Sequence, residues 1–266
     1  MITDKEKIKD IAQHGDFITG IHQYCDGWCE RCAFTTQCLT FALETGDPDE
    51  NESRDINNKA FWDQLAETFK AVSDQLREAM EAYDIDFDES EIQLPDMNDH
   101  MDDEIARCHE SCRAARIYGE HVDSWFHQAR DLFGEEDIPI DPGMEMAAAA
   151  HVEANDRLQE GLDVVRWYQH QIYVKLMRAV RSELVEARDG IDEFAKDSEG
   201  SAKVALIGIE RSIAAWEDVR NHFPVMQDKV GELQGRLQRL SVKVEKAFPD
   251  ARAFIRPGFD KIPLNG

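Results

Sequence analysis

No run of apolar residues in this 266-residue chain approaches the roughly 20 that a membrane-crossing helix needs. Basic residues are scarce: Lys+Arg 30 against Asp+Glu 55 leaves a formal net charge of −25 at pH 7. A surface of that sign repels phosphate backbones and anionic lipids, so neither nucleic acid nor membrane is expected as a partner. The opening Met1-Ile2-Thr3-Asp4-Lys5-Glu6 lacks the charged-then-apolar layout of a secretory signal, and the expected location is the cytoplasm. No stretch shows strand alternation bounded by hairpin turn residues. The phosphate loop G-x-x-x-x-G-K-[ST], the dinucleotide pattern G-x-G-x-x-G, H-E-x-x-H and G-x-S-x-G are all missing, which leaves no known catalytic signature on which to hang a reaction.

What is present is helical periodicity. Hydrophobic residues at 42% and aromatics at 9% are ample for a packed core. Phe61, Trp62, Leu65, Phe69, Val72, Leu76, Ala79 and Tyr83 form one stripe at alternating steps of three and four. A second stripe takes Ile105, Cys108, Cys112, Ala115, Gly119, Val122, Phe126, Ala129 and Phe133, and predicts a single helix from about Asp99 to Leu132, ~50 Å long at ~1.5 Å per residue. A third takes Leu158, Leu162, Val165, Ile172, Leu176 and Ala179, with Gln169 and Glu183 as polar exceptions on the same face. The run from Ala202 to Ile209 is apolar almost all round, as in a helix covered by neighbours on most sides. After the break at Phe223-Pro224, a last helix carries Met226, Val230, Leu233, Leu237, Leu240 and Val244 and ends near Phe248-Pro249. The expected fold is all-α: an up-and-down bundle of four to six long helices over residues 55–248, with a cysteine-rich segment at 1–44 packed on it and an extended tail at 249–266. Connectors are expected at Thr45 to Asn58, Asp84 to Asp99 and Gly134 to Gly143.

The six cysteines are unevenly placed. Four fall within fourteen residues, Cys25-x3-Cys29-x2-Cys32-x5-Cys38. In a reducing compartment such spacing reads as metal ligation rather than a disulfide framework. Four thiolates complete the ligand set of either a [4Fe–4S] cluster or a tetrahedral zinc ion. Three cysteines on short loops suit the faces of a cubane, whereas structural zinc more often joins two Cys-x2-Cys knuckles a dozen or more residues apart, so the cluster is the first expectation and Zn2+ the alternative. Cys25, Cys29 and Cys32 also match the spacing of radical-SAM enzymes. That reading is set aside because Arg31 replaces the aromatic residue common before the third cysteine, Cys38 is available to close the open iron, and the alternating strands of such enzymes are missing.

Other constellations carry less. Cys108 and Cys112 share a helix face and fit tight packing better than ligation with His109. Glu104, His109, Glu110, Glu120, His121 and His127 crowd one segment and Glu183 lies on the core stripe of another, but no Glu-x-x-His pair exists, so a ferritin-like di-metal oxidase would need a non-standard site. Eleven acids and no Lys or Arg lie between Glu81 and Glu104. There Asp84-Ile85-Asp86-Phe87-Asp88 opens like a calcium loop, but Glu89 stands where glycine is needed and Pro95 where a bidentate glutamate is needed. Arg116-x4-His121 has the spacing of a helical ribonuclease motif, which is too short to be specific. Trp167-Tyr168-Gln169-His170-Gln171 fits core and core edge better than a pocket.

The segments Gly200 to Trp216 and Cys25 to Cys32 together resemble a group of bacterial all-helical proteins with this cysteine pattern, a resemblance that implies no activity. The functional expectation is a metalloprotein whose four-cysteine site serves electron transfer or redox sensing with a protein redox partner. A non-enzymatic helical interaction protein with structural zinc is the alternative, and a homo-oligomer is compatible with either.

Overall fold

A computed structural model describes residues 16–45, 97–129, 145–189 and 196–260 of the chain. Six α-helices occur among them: α1 (Leu39–Thr45), α2 (Met97–Cys108), α3 (Glu110–Ala129), α4 (Glu145–Asp189), α5 (Asp197–His222) and α6 (Gln227–Ala247). No strand occurs among the described residues, and the fold is all-α. No described helix is long and apolar enough to cross a membrane. The stripe from Phe61 to Tyr83, the calcium-like loop and most of each expected connector lie outside the described residues.

The chain divides into two compact units. The larger holds residues 98–129, 145–189 and 196–256 together with Tyr24–Asp26. Its helices close a ring: α4 packs on α5, α5 on α6, and α3 on both α4 and α6. The ring follows from the stripes, because each helix has one apolar face to remove from water and a neighbour on either side to bury it against. On α6, Val230, Leu233, Leu237, Leu240 and Val244 are all buried, as their spacing predicts, and so is Met226 just before it. On α5 the burial is nearly all round, and small residues there admit large neighbours: a Cβ on Gly208 would lie 2.8 Å from Cδ1 of Tyr168. Trp216 and Tyr118 fill the centre. The Trp216 indole N–H donates to the Tyr118 hydroxyl at 2.9 Å, and its ring meets Trp125 edge-on with centroids 4.9 Å apart. Burial raises the Tyr118 hydroxyl above its ordinary pKa and keeps it a neutral partner in that bond.

The expected single helix from Asp99 to Leu132 is two helices. Helical structure is interrupted at His109, whose N–H reaches back only to the Ala106 carbonyl, at 3.1 Å, while its ring Nδ1 accepts the Ser111 N–H at 3.3 Å. A side chain that competes for backbone donors breaks the ladder without proline. The interruption shifts the phase of the buried face. After it, Cys112, Ala115, Val122 and Ala129 are buried as expected, but before it the buried positions are Asp102 and Ala106, and Ile105 is 44% exposed. Asp102 is held there by both oxygens accepting from Arg188, at 2.8 Å each. Glu183, expected on a core stripe, is exposed.

The smaller unit comprises, among the described residues, 16–23, 27–45 and 257–260. Within it lie 3-10 turns at Cys29–Arg31 and Thr35–Gln37, followed by α1. Gly258, at φ 77°, turns the chain there, and a Cβ on it would press within 2.9 Å of Ile21 and 3.0 Å of Ile18. Phe259 meets Phe34 edge-on at 5.1 Å.

Candidate metal-binding segment and its anchor

Turn chemistry sets the cysteine loop. Gly27, at φ 73°, takes a backbone conformation that other residues avoid, and its carbonyl accepts the Cys29 N–H at 3.0 Å. The Cys32 N–H then donates to the Cys29 carbonyl at 3.1 Å, closing a Cys-x2-Cys turn, and the Cys38 N–H donates to the Thr35 carbonyl at 3.3 Å. The Arg31 guanidinium covers the Trp28 ring at 3.9 Å, which turns the aromatic of this turn toward a cation. The Phe34 N–H points at the Cys32 sulfur, 3.4 Å away. No disulfide joins any of the six cysteines; Cys25, Cys29, Cys32 and Cys38 are half-buried. Cys25 belongs to the larger unit and the other three to the smaller. Among the described residues, no three of His, Cys, Asp or Glu converge closely enough to hold a metal ion.

The neighbours of Cys25 on both sides are anchored in the larger unit. On one side, the Tyr24 ring lies 4.7 Å from that of Phe254 and packs over Gly200, where a Cβ would come within 2.6 Å of the tyrosine Cδ1. The Tyr24 hydroxyl is pushed up to about 12 by burial first and then by the Asp197 carboxylate, to which it hydrogen-bonds. Asp197, opening α5, also accepts from Ser182 at 2.6 Å and from both Nε and Nη2 of Arg178, at 3.1 and 2.5 Å. Burial pushes the Asp197 carboxyl up, but those bonds and the Arg178 charge outweigh it and leave the group below its ordinary value.

On the other side, Asp26 is held through side chain and main chain alike. Its Oδ2 accepts the Tyr168 hydroxyl at 2.5 Å and Nη1 of Arg211 at 2.8 Å. Its backbone carbonyl accepts the Trp167 indole N–H at 3.1 Å and the Gln171 amide at 2.9 Å. The residues Trp167, Tyr168 and Gln171, expected as core and core edge, therefore hold Asp26. Burial, and next the Asp26 bond, raise the Tyr168 hydroxyl so that it stays a donor at every ordinary pH. Lys175, one turn further along α4 and half-buried, has its ammonium destabilised chiefly by burial, with the charges of Cys25 and Asp26 acting in the opposite direction.

The remaining candidates disperse. Cys112 is fully buried and burial pushes its thiol up to about 12, as suits a packed hydrophobe, whereas Cys108 is exposed on the far side of the interruption and does no packing. His109 is half-buried; burial lowers its pKa and the Glu183 charge opposes that. Glu104, Glu110, Glu120, His121 and His127 all face solvent, and Glu110 is paired with Lys243. Comparison of the chain with protein-family models, curated proteins and solved structures finds no match.

Proposed function

We propose that the protein is a metalloprotein in which Cys25, Cys29, Cys32 and Cys38 hold a [4Fe–4S] cluster used in electron transfer or redox sensing, with a protein as its redox partner. The observation that carries this reading is the backbone of the cysteine segment. Among residues 27–43 none is buried, yet the chain there is drawn into tight turns at Cys29–Arg31 and Thr35–Gln37, the first of which closes Cys29 and Cys32 into one turn. Turns with so little buried cover are of the kind that a ligated metal stabilises, and no disulfide joins the six cysteines. A metal site in such a segment assembles on binding, because the binding free energy contributes to folding. The N–H···S bond from Phe34 to Cys32 supports the same chemistry, since donors to ligating sulfurs stabilise thiolate charge and tune cluster potential.

Protein purified under anaerobic conditions should absorb near 400 nm and contain iron and sulfide in equal amounts. A colourless protein carrying one zinc per chain would instead favour a structural site in a helical interaction protein. Protein without metal, and with all six thiols titrating freely in the folded state, would overturn both readings.

A further inference from the structure

We infer that the cleft between α3 and α6 of the larger unit is a binding site for a small organic monocarboxylate, with Arg236 taking the carboxylate and Trp125 and Leu233 forming the floor under the apolar body. The inference stands apart from the cysteine reading, since every residue it uses lies on two helices of the ring. His121, Trp125 and Gln128 on α3, and Lys229, Leu233 and Arg236 on α6, line a half-open cavity of about 180 Å3. On each helix these residues recur at steps of four and three, so each turns one face to the cleft. Trp125 and Leu233 hold the matching place on the two faces and are 2% and 4% exposed, which makes the bottom of the cleft apolar. The Trp125 ring is braced by its edge-on contact with Trp216.

The walls carry cations that the rest of this acidic chain does not neutralise. Elsewhere in the same unit Arg178, Arg188, Arg211 and Arg252 are each closed onto a carboxylate. The half-buried Arg236 guanidinium meets no acceptor among the described residues, although Glu232 stands one turn earlier on α6, at a spacing that favours an ion pair. Lys229 meets no carboxylate among them either: its ammonium donates to the Gln128 amide oxygen at 2.5 Å, and Gln128 in turn donates to Ser124 at 3.0 Å. The two cations stand ~10 Å apart along α6, with Leu233 between them. That pattern selects a ligand. A guanidinium whose planar fork is unoccupied takes a carboxylate through two parallel N–H···O bonds. A floor of indole and leucine takes an apolar body, and since ~150 Å3 holds a benzene ring, the cavity admits one ring or a short aliphatic chain beside the carboxylate. The Glu232 carboxylate on the wall raises the cost of a second negative charge, which disfavours phosphate and dicarboxylates.

The test is isothermal titration calorimetry of the full chain with phenylacetate, hexanoate, the neutral phenylacetamide and inorganic phosphate. The expected result is saturable binding of phenylacetate or hexanoate, at least ~10-fold tighter than that of phenylacetamide or phosphate. Arg236→Gln should weaken carboxylate binding by ~10-fold or more at an unchanged helix melting temperature, because the guanidinium has no protein partner to lose. Glu232→Gln should tighten binding by removing the like charge. If neither carboxylate binds with a Kd of ~1 mM or below, the inference is overturned. Binding that Arg236→Gln leaves intact overturns it too, as does phosphate binding as tightly as phenylacetate, which would reduce the cleft to a patch of positive charge. Weaker carboxylate binding in Glu232→Gln would likewise count against it, by giving Glu232 an attractive part. None of these outcomes bears on metal content, so the two readings fail separately.

Discussion

Among the described residues, the two units are held by different means. In the larger one, Val122, Val165, Ile172, Leu176, Ile209, Leu237, Leu240 and Trp216 are removed from water along stripes that recur every three or four residues, and at about 25 cal/mol per Å2 such burial is the main favourable contribution to the ring. In the smaller one, among the described residues, order resides in turns, a cation over an indole, an edge-on aromatic pair and thiols. A stripe is redundant, because many positions share the load. A four-cysteine site, on the proposed reading, is not, because each ligand is needed.

The sharpest way to break that comparison is Cys29→Ser. On the proposed reading it should abolish metal content and raise hydrogen exchange throughout residues 20–44, while the melting of the helical ring moves far less. Equal loss of structure in α3–α6 would show that the ring is not self-supporting.

Next in size is Trp216→Ala, which empties the centre of the ring and removes the indole donor to the Tyr118 hydroxyl. A loss of about 3–5 kcal/mol is expected in urea unfolding followed by circular dichroism. Metal content per folded chain should stay unchanged.

Gly200→Ala comes third. Its methyl would press within 2.7 Å of Phe254 Cζ and against the Tyr24 ring, and overpacking of this kind costs about 1–3 kcal/mol. Because Tyr24 adjoins Cys25, this variant should weaken metal retention as well, which separates it from Trp216→Ala. A variant as stable as wild type would mean that Tyr24 can swing away freely.

The smallest effect concerns pH. Asp197 has a folded-state pKa below its ordinary 3.8, so it contributes stability that is present above about pH 4 and is lost as pH falls through the folded value. Asp197→Asn should therefore cost about 1 kcal/mol at pH 7, a figure reduced for the partial exposure of the Arg178 pair, and its deficit should fade below pH 4. Urea midpoints at pH 7 and pH 3 decide it: a deficit that persists at pH 3 would show that the ionised carboxylate is not the cause.

Much of the ring was legible from residue order alone, since the spacing of Met226, Val230, Leu233, Leu237, Leu240 and Val244 states which face of α6 is buried, and periodicity is a local property of the backbone. The stripe on α3 was legible only as far as its phase held. Nothing in a pattern of apolar residues signals that the His109 ring will accept the Ser111 N–H and turn the preceding residues, so Ile105 and Cys108 were read onto a face they do not share. The glycines of α5 were visible, but not their use: Gly200 and Gly208 are gaps whose meaning depends on which tyrosine enters them.

Residue order by itself determined the all-α class, the helices that carry a continuous stripe, and the clustering of four thiols on short loops, because each of these follows from residues within a few turns of one another. Tertiary structure alone decided where Asp26 is held. Asp26 finds its partners 141, 142, 145 and 185 residues further along the chain. A carboxylate, a phenol, an indole, an amide and a guanidinium at such separations share no period, and only the packing of α4 against α5 brings their hydrogen-bonding groups within reach of one loop.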